Sequence, residues 1–173
     1  MKSILITLLL FIKLQAQILQ NLTSFEANFT QTIDDKEKKV VKYEGKIFAD
    51  KNLQKAKWSY YKPIRKDVYI QKKLVTIVEP ELEQVIIRKI SNDFDIFELL
   101  KNAKKIGKDL YLTKYKKYSF KLYSNGKDIQ KLVYKDDFDN LVTIKFKHQK
   151  YNQKIDPVLF TPDAPKDYDL IIE

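Results

Sequence analysis

Two sets of side chains have the types that acid–base chemistry uses. His148 is the single histidine, and Glu79, Glu81 and Glu83 stand at alternate positions around Pro80. A histidine titrates near neutrality and can serve as a base. Here it falls on the alternation of Val142, Ile144 and Phe146 near a strand end, and reads as a packed or rim residue. Carboxylates on one strand face would suit an acid pair, but only desolvation or close like charge raises a carboxyl enough to act as an acid. Nothing apolar obviously desolvates these glutamates, so they read as a solvated strand edge. Cysteine is absent, which with the lone histidine excludes disulfide, thiol and multi-histidine metal chemistry. No G-x-S-x-G elbow or phosphate-cradling glycine loop occurs. The chain therefore reads as a non-enzyme, with no catalytic residue, metal or cofactor.

What remains is apolar alternation, and it begins at Thr23–Ile33. Phe25, Ala27 and Phe29 share one face while Glu26, Asn28 and Thr30 share the other, the pattern of a half-buried strand. Just before it, Ile18, Leu19, Leu22 and Phe25 recur at the spacing of a short amphipathic helix. The charged turn 34–39 leads to a strand with Tyr43, Gly45, Ile47 and Ala49 in phase, then to one with Ala56, Trp58 and Tyr60 in phase, closed by Pro63. Short strands follow at 68–71, 74–78, 83–88, 110–113, 118–123, 129–135 and 141–149, with Asn125-Gly126 as a hairpin signal and 158–162 as a last short strand. The total is about ten or eleven strands in one antiparallel sheet, and a sheet that large curls. A curled sheet has a concave face that must be filled or used.

Residues 92–103 break the pattern. At about 100° per residue, Ile96, Phe97, Leu99, Leu100 and Ala103 fill an arc of about 160° on a helix. Asn92 or Asp93 suits its N-cap, Lys104 and Lys105 its C-terminal end, and Gly107 its stop. If both helices sit on the concave side, Phe25, Phe29, Ile47, Trp58, Tyr60, Ile96, Phe97 and Leu100 converge there. That convergence describes an ordinary core as well as a pocket. Trp58 and Tyr60 carry polar tips that want partners, which suits a pocket mouth.

Residues 1–16 read as a cleavable secretory signal: Lys2, an apolar run over Ile4–Ile12, and Leu14-Gln15-Ala16 before Gln17. The run is well short of the roughly 20 apolar residues a spanning helix needs. Residues 17–173 then form a single domain. Loss of the signal takes Lys2 and Lys13 and lowers the formal charge from +10 to +8. Such a balance favours anionic surfaces, and export makes nucleic acid a poor partner. A lysine-rich solvated face is the plainer reading of the same charge.

Ser24-Phe25-x-Ala27-x-Phe29-Thr30-Gln31 closely resembles the opening of the LolA family of periplasmic outer-membrane lipoprotein carriers. Gly45-Lys46-Ile47, Lys57-Trp58-x-Tyr60-x-x-Pro63, Val78-Glu79-Pro80-x-x-x-Gln84-Val85 and Phe160-Thr161-Pro162-x-x-Pro165 follow in the family's order. The resemblance covers nearly the whole chain after the signal. The related receptor LolB shares the fold but opens with an acylated cysteine, which this chain lacks.

The resemblance implies a mainly β fold with two helices, an unclosed β-barrel with a helical lid over an apolar cavity. It implies a periplasmic monomer that takes acylated lipoproteins from an inner-membrane LolCDE-type ABC transporter and delivers them to an outer-membrane, LolB-type acceptor. Family members are thought to hold the lid shut partly through an arginine before the tryptophan strand. Lys51 is nearest here, without the planar fork of arginine, and Arg65 is a substitute. The competing reading is an envelope protein-binding or signalling module of the same fold that moves no lipid.

Overall fold

A computed structural model of the chain describes residues 21–37, 39–90 and 95–173. The expected signal and the helix around Ile18 and Leu19 lie outside them. Among the described residues no helix is long and apolar enough to cross a membrane.

Twelve strands form one sheet: β1 (Ser24–Asp34), β2 (Val40–Asp50), β3 (Lys55–Lys62), β4 (Lys66–Gln71), β5 (Leu74–Glu79), β6 (Gln84–Lys89), β7 (Lys104–Lys105), β8 (Leu110–Tyr115), β9 (Tyr118–Ser124), β10 (Ile129–Lys135), β11 (Leu141–Tyr151) and β12 (Asp169–Ile172). Their order across the sheet is β12-β6-β5-β4-β3-β2-β1-β11-β10-β9-β8-β7. β1 is the hinge of this order, pairing with β2 on one side and β11 on the other along its whole length. Val68 and Ile70 of β4 line the same cavity as Tyr115 of β8, although six strands separate them in the sheet. The sheet must therefore curl strongly without closing, as a large twisted sheet does.

The inward phase is the expected one at the centre. Phe25, Ala27 and Phe29 of β1, Ile47 and Ala49 of β2 and Trp58 of β3 are all buried in one core with Phe120, Leu122, Ile144 and Phe146. Gly45 opposes Phe29, and a Cβ there would come within 2.2 Å of the Ser59 carbonyl and 2.6 Å of Phe29 Cζ. The missing side chain makes room for the Phe29 ring, which packs edge-on against Trp58 and Tyr60 at centroid distances of 5.0 and 5.1 Å. Asn125-Gly126 turns as its sequence predicts: Asn125 Oδ1 accepts from the Lys127 and Asp128 amides, and Gly126 has φ of 89°.

Four expectations are corrected. The helix α1 spans Ile96–Lys101, shorter than 92–103, and its N-cap is Asp95, whose Oδ1 accepts from the Phe97 amide at 2.8 Å. Lys104 and Lys105 leave it to pair with β8 as β7. Residues 157–160 form a 3-10 turn with Phe160 buried, where a strand was expected. The final strand is β12, which runs parallel to β6, so the sheet is antiparallel except at that edge. The chain reaches it by crossing the outer face: the 3-10 turn lies against β3, and Ile155 and Phe160 are buried.

Candidate functional site

Strand directions give the curled sheet two ends. The turns β1–β2, β3–β4, β5–β6, β8–β9 and β10–β11 lie at one, and the turns β2–β3, β4–β5 and β9–β10 at the other. The second end is filled. Phe25, Ile47, Leu99, Leu122 and Ile129 are essentially without solvent exposure there. α1 contributes Ile96, Phe97, Leu99 and Leu100 to this packing, and Thr113 fastens it by donating from Oγ1 to the Leu99 carbonyl at 2.9 Å. Thr113 and Tyr111 point inward, while Leu110 and Leu112 on the other phase are half-buried. The choice of phase has a cause: a hydroxyl on the inner face can satisfy a helix carbonyl that has no partner within α1.

The first end is hollow. A cavity of about 480 Å³ is walled by Trp58, Tyr60, Val68, Ile70, Ile96, Phe120, Leu132, Ile144 and Phe146, and its mouth by Gln31, Tyr115, Lys116, Tyr118, Tyr134 and Asp136–Phe138. Its size falls within the roughly 300–1,000 Å³ of small-molecule sites. Tyr60 donates its hydroxyl to Gln31 Oε1 at 3.2 Å, and burial pushes the hydroxyls of Tyr60 and Tyr134 up from the ordinary tyrosine value. Both stay neutral at physiological pH, so the inner wall carries no charge. Phe138, on the β10–β11 turn, is 79% exposed at the rim.

Of the residues named from the sequence, Trp58, Tyr60 and Ile96 line this cavity. Phe25, Phe29, Ile47, Phe97 and Leu100 are buried beside it in the continuous core. Lys51 and Phe97 share a separate recess of about 70 Å³ with Asp95, at the start of α1. Arg65 stands at the hollow end, where its backbone amide donates to Glu81 Oε1 at 3.3 Å. The tyrosines of the mouth were not singled out beforehand. Their signal was present in Tyr115, Tyr118 and Tyr134, each within two residues of a turn.

The acid–base candidates do not assemble. β11 carries an extra residue where Glu26 opposes Lys150 and Asn28 opposes Lys147. His148 sits in that bulge with φ of 51°, exposed, its Nδ1 3.2 Å from Asn28 Nδ2. The bulge flips the phase, so His148 leaves the face of Val142, Ile144 and Phe146 that simple alternation assigned it. Glu79 ends β5 and accepts from Gln84 Nε2 at 2.6 Å, while Glu81 lies in a 3-10 turn and Glu83 follows it with φ of 49°. They share no strand face. No cluster of metal-ligating side chains occurs among the described residues.

The comparisons with known proteins agree with this architecture. The family model of the outer membrane lipoprotein carrier protein LolA matches residues 20–123. This chain belongs to the LolA family. A curated outer-membrane lipoprotein carrier protein of Campylobacter jejuni is 37% identical over 87% of this chain and 88% of its own length. One from Helicobacter pylori is 36% identical over 91% of this chain and 84% of its own. Among solved structures, a LolA superfamily protein from Nitrosomonas europaea matches with a TM-score of 0.54 over 87% of this chain and 95% of that one, at 9% identity. An uncharacterized conserved protein from Thermus thermophilus matches with a TM-score of 0.57 over 93% and 98%, at 12% identity. At such identities these two show the fold alone, and the fold is that of the LolA superfamily.

Proposed function

We propose that this LolA-family protein is a lipoprotein carrier that shelters the acyl chains of its cargo in the cavity between β3–β4 and β8–β11. The supporting observation is the cavity at the hollow end with its uncharged inner wall, in a family of outer-membrane lipoprotein carriers. Each methylene moved out of water is worth about 0.8 kcal/mol, so an acyl chain crosses an aqueous compartment only under cover. Trp58, Tyr60 and Ile96 contact the chains, and Phe25, Phe29, Ile47, Phe97 and Leu100 form the packed base beneath them. Ile96 belongs to α1, so the helix and the cargo compete for one apolar surface. That competition lowers net affinity and permits release. Lys51 is the better latch candidate, since it shares a recess with the Asp95 cap of α1.

In this reading residues 1–16 are an export signal and the protein works in the periplasm. It receives cargo from a LolCDE-type transporter and passes it to the outer membrane, by way of a LolB-type acceptor where there is one. The test is native mass spectrometry of the protein from Gln17 onward, purified from the periplasm of cells making a tagged lipoprotein. Stoichiometric co-purification, lost when the acylated cysteine of the cargo is replaced, is the expected result. Tyr134→Glu, which sets a charge at the inward edge of the cavity mouth, should abolish it while leaving the fold intact. Acyl cargo retained by Tyr134→Glu at the wild-type level would remove the cavity from the mechanism.

A further inference from the structure

The outer face of the sheet has two unlike halves. Over β3–β5 it is covered by the chain's own C-terminal crossing, and the outward side chains Tyr69, Thr76 and Val78 are buried. Over β8–β11 it is bare. The outward positions there carry Lys114, Lys121, Lys131, Lys145 and Lys147 and no acidic residue. None of these five forms an ion pair with a described residue, whereas Glu26 on the neighbouring β1 is paired with Lys46 and Lys150 at 2.8 and 3.1 Å. Lys131 stands directly opposite Lys145 in the β10–β11 register, with its Nζ 4.1 Å from the Tyr123 ring centroid. Like charges directly opposite one another destabilise a sheet, so this array does not serve the stability of the isolated protein.

We propose that the outer face of β8–β11 docks on an anionic phospholipid surface. The array is made of lysines alone. Lysine is a mobile point charge, suited to a field of headgroups, whereas recognition of a particular carboxylate favours the fork of arginine. The same strands lead into the cavity mouth, because Tyr115, Lys116 and Asp136–Phe138 sit on their turns. Docking therefore brings the mouth and the exposed Phe138 ring to the edge of the bilayer, where an apolar side chain gains by partial burial. The proposal does not depend on the cargo reading, since the empty protein is enough to test it.

Flotation of cargo-free protein with phosphatidylcholine vesicles, with and without phosphatidylglycerol, measures it directly. Binding should need phosphatidylglycerol and weaken steeply with salt. Lys121→Gln/Lys131→Gln/Lys145→Gln should weaken partitioning roughly a hundredfold, from about fivefold per lysine at an anionic surface. Lys73→Gln/Lys89→Gln/Lys166→Gln removes the same charge elsewhere and should retain most of the binding. All six positions are partly or fully exposed on strands or turns, and circular dichroism would verify that both variants fold. Equal losses in the two variants would reduce the effect to net charge and overturn the docking face. Wild-type protein that ignores phosphatidylglycerol vesicles would overturn it too, leaving an acidic protein as the partner for these lysines.

Discussion

The two ends of one concave face are built from different chemistry. At the filled end, phenylalanine, leucine and isoleucine reach near-zero exposure, and α1 occupies the remaining space. At the hollow end aromatic rings share the wall with aliphatic side chains, and four of the residues near the opening are tyrosines with polar tips. An aliphatic lining would close on itself, since voids in a core cost stability in proportion to their size. Rings that lean on one another hold a wall open: Phe120 and Tyr134 lie 4.9 Å apart, and Tyr43 and Tyr60 5.8 Å. Polar tips at the opening can be wetted when the cavity is empty and covered when it is full. The filled end thus carries the stability, and the hollow end is free to exchange contents.

The contrast is sharpest when one aromatic is removed from each end. Phe25→Ala should cost about 3–5 kcal/mol, as for a fully buried phenylalanine. Phe138→Ala should stay within roughly 0.5 kcal/mol, as for an exposed residue. Urea unfolding with matched m-values measures both, and comparable losses would break the division between ends. Gly45→Ala comes next. Its Cβ meets a backbone oxygen and the Phe29 ring, and overpacking of this kind typically costs about 1–3 kcal/mol. Because Phe29 leans on Trp58 and Tyr60, the lone tryptophan should report the shift in its fluorescence before the protein unfolds.

Thr113→Val is a smaller intervention on the filled end. It keeps the shape of the side chain and removes the bond to the Leu99 carbonyl, which should cost about 1–3 kcal/mol because the carbonyl is left buried without its donor. Amide hydrogen exchange should rise across α1 while β1 and β2 are unaffected. Faster exchange in those strands instead would mean that the helix and the sheet open as one unit, so that α1 is no separable plug.

Most of this architecture was legible in alternation. Phe25, Ala27, Phe29, Gly45, Ile47, Trp58 and Tyr60 all face the side that a two-residue period assigns them, because the centre of a long sheet has little freedom to depart from it. The failures occur where another interaction overrides the period. At His148 an extra residue shifts the phase. At 157–160 a proline opens a 3-10 turn, with Asp156 capping the Val158 amide at 3.0 Å. The parallel pairing of β12 leaves no local mark in its sequence. The cavity was half legible: alternation and the helix pattern pointed to Trp58, Tyr60 and Ile96, but the opposite wall comes from strands roughly sixty to ninety residues further along, and only closure of the curl brings them together.

The smallest effect at neutral pH is also the most discriminating. Burial raises the hydroxyl of Tyr151, at the filled end, to about 12, and raises those of Tyr60 and Tyr134, at the hollow end, in the same direction. Unfolded tyrosine titrates near 10. Below that value all three are neutral in both states, so their contribution to stability is fully present. Above it the unfolded chain releases protons that the folded one still holds, and stability falls until the folded groups ionise, near 12 for Tyr151. The two ends should respond differently to a bound acyl chain. An occupant of the cavity dries Tyr60 and Tyr134 further and leaves Tyr151 in the same surroundings, with its hydroxyl still within 2.5 Å of Gln149 Oε1. Spectrophotometric titration of the empty and loaded protein should therefore move the alkaline limb of the mouth tyrosines upward. Tyr60→Phe/Tyr115→Phe/Tyr118→Phe/Tyr134→Phe together should abolish that movement, and Tyr151→Phe should preserve it. An upward shift that survives loss of all four would place the ligand outside the hollow end, and the separation of a solid base from an exchanging mouth would fail with it.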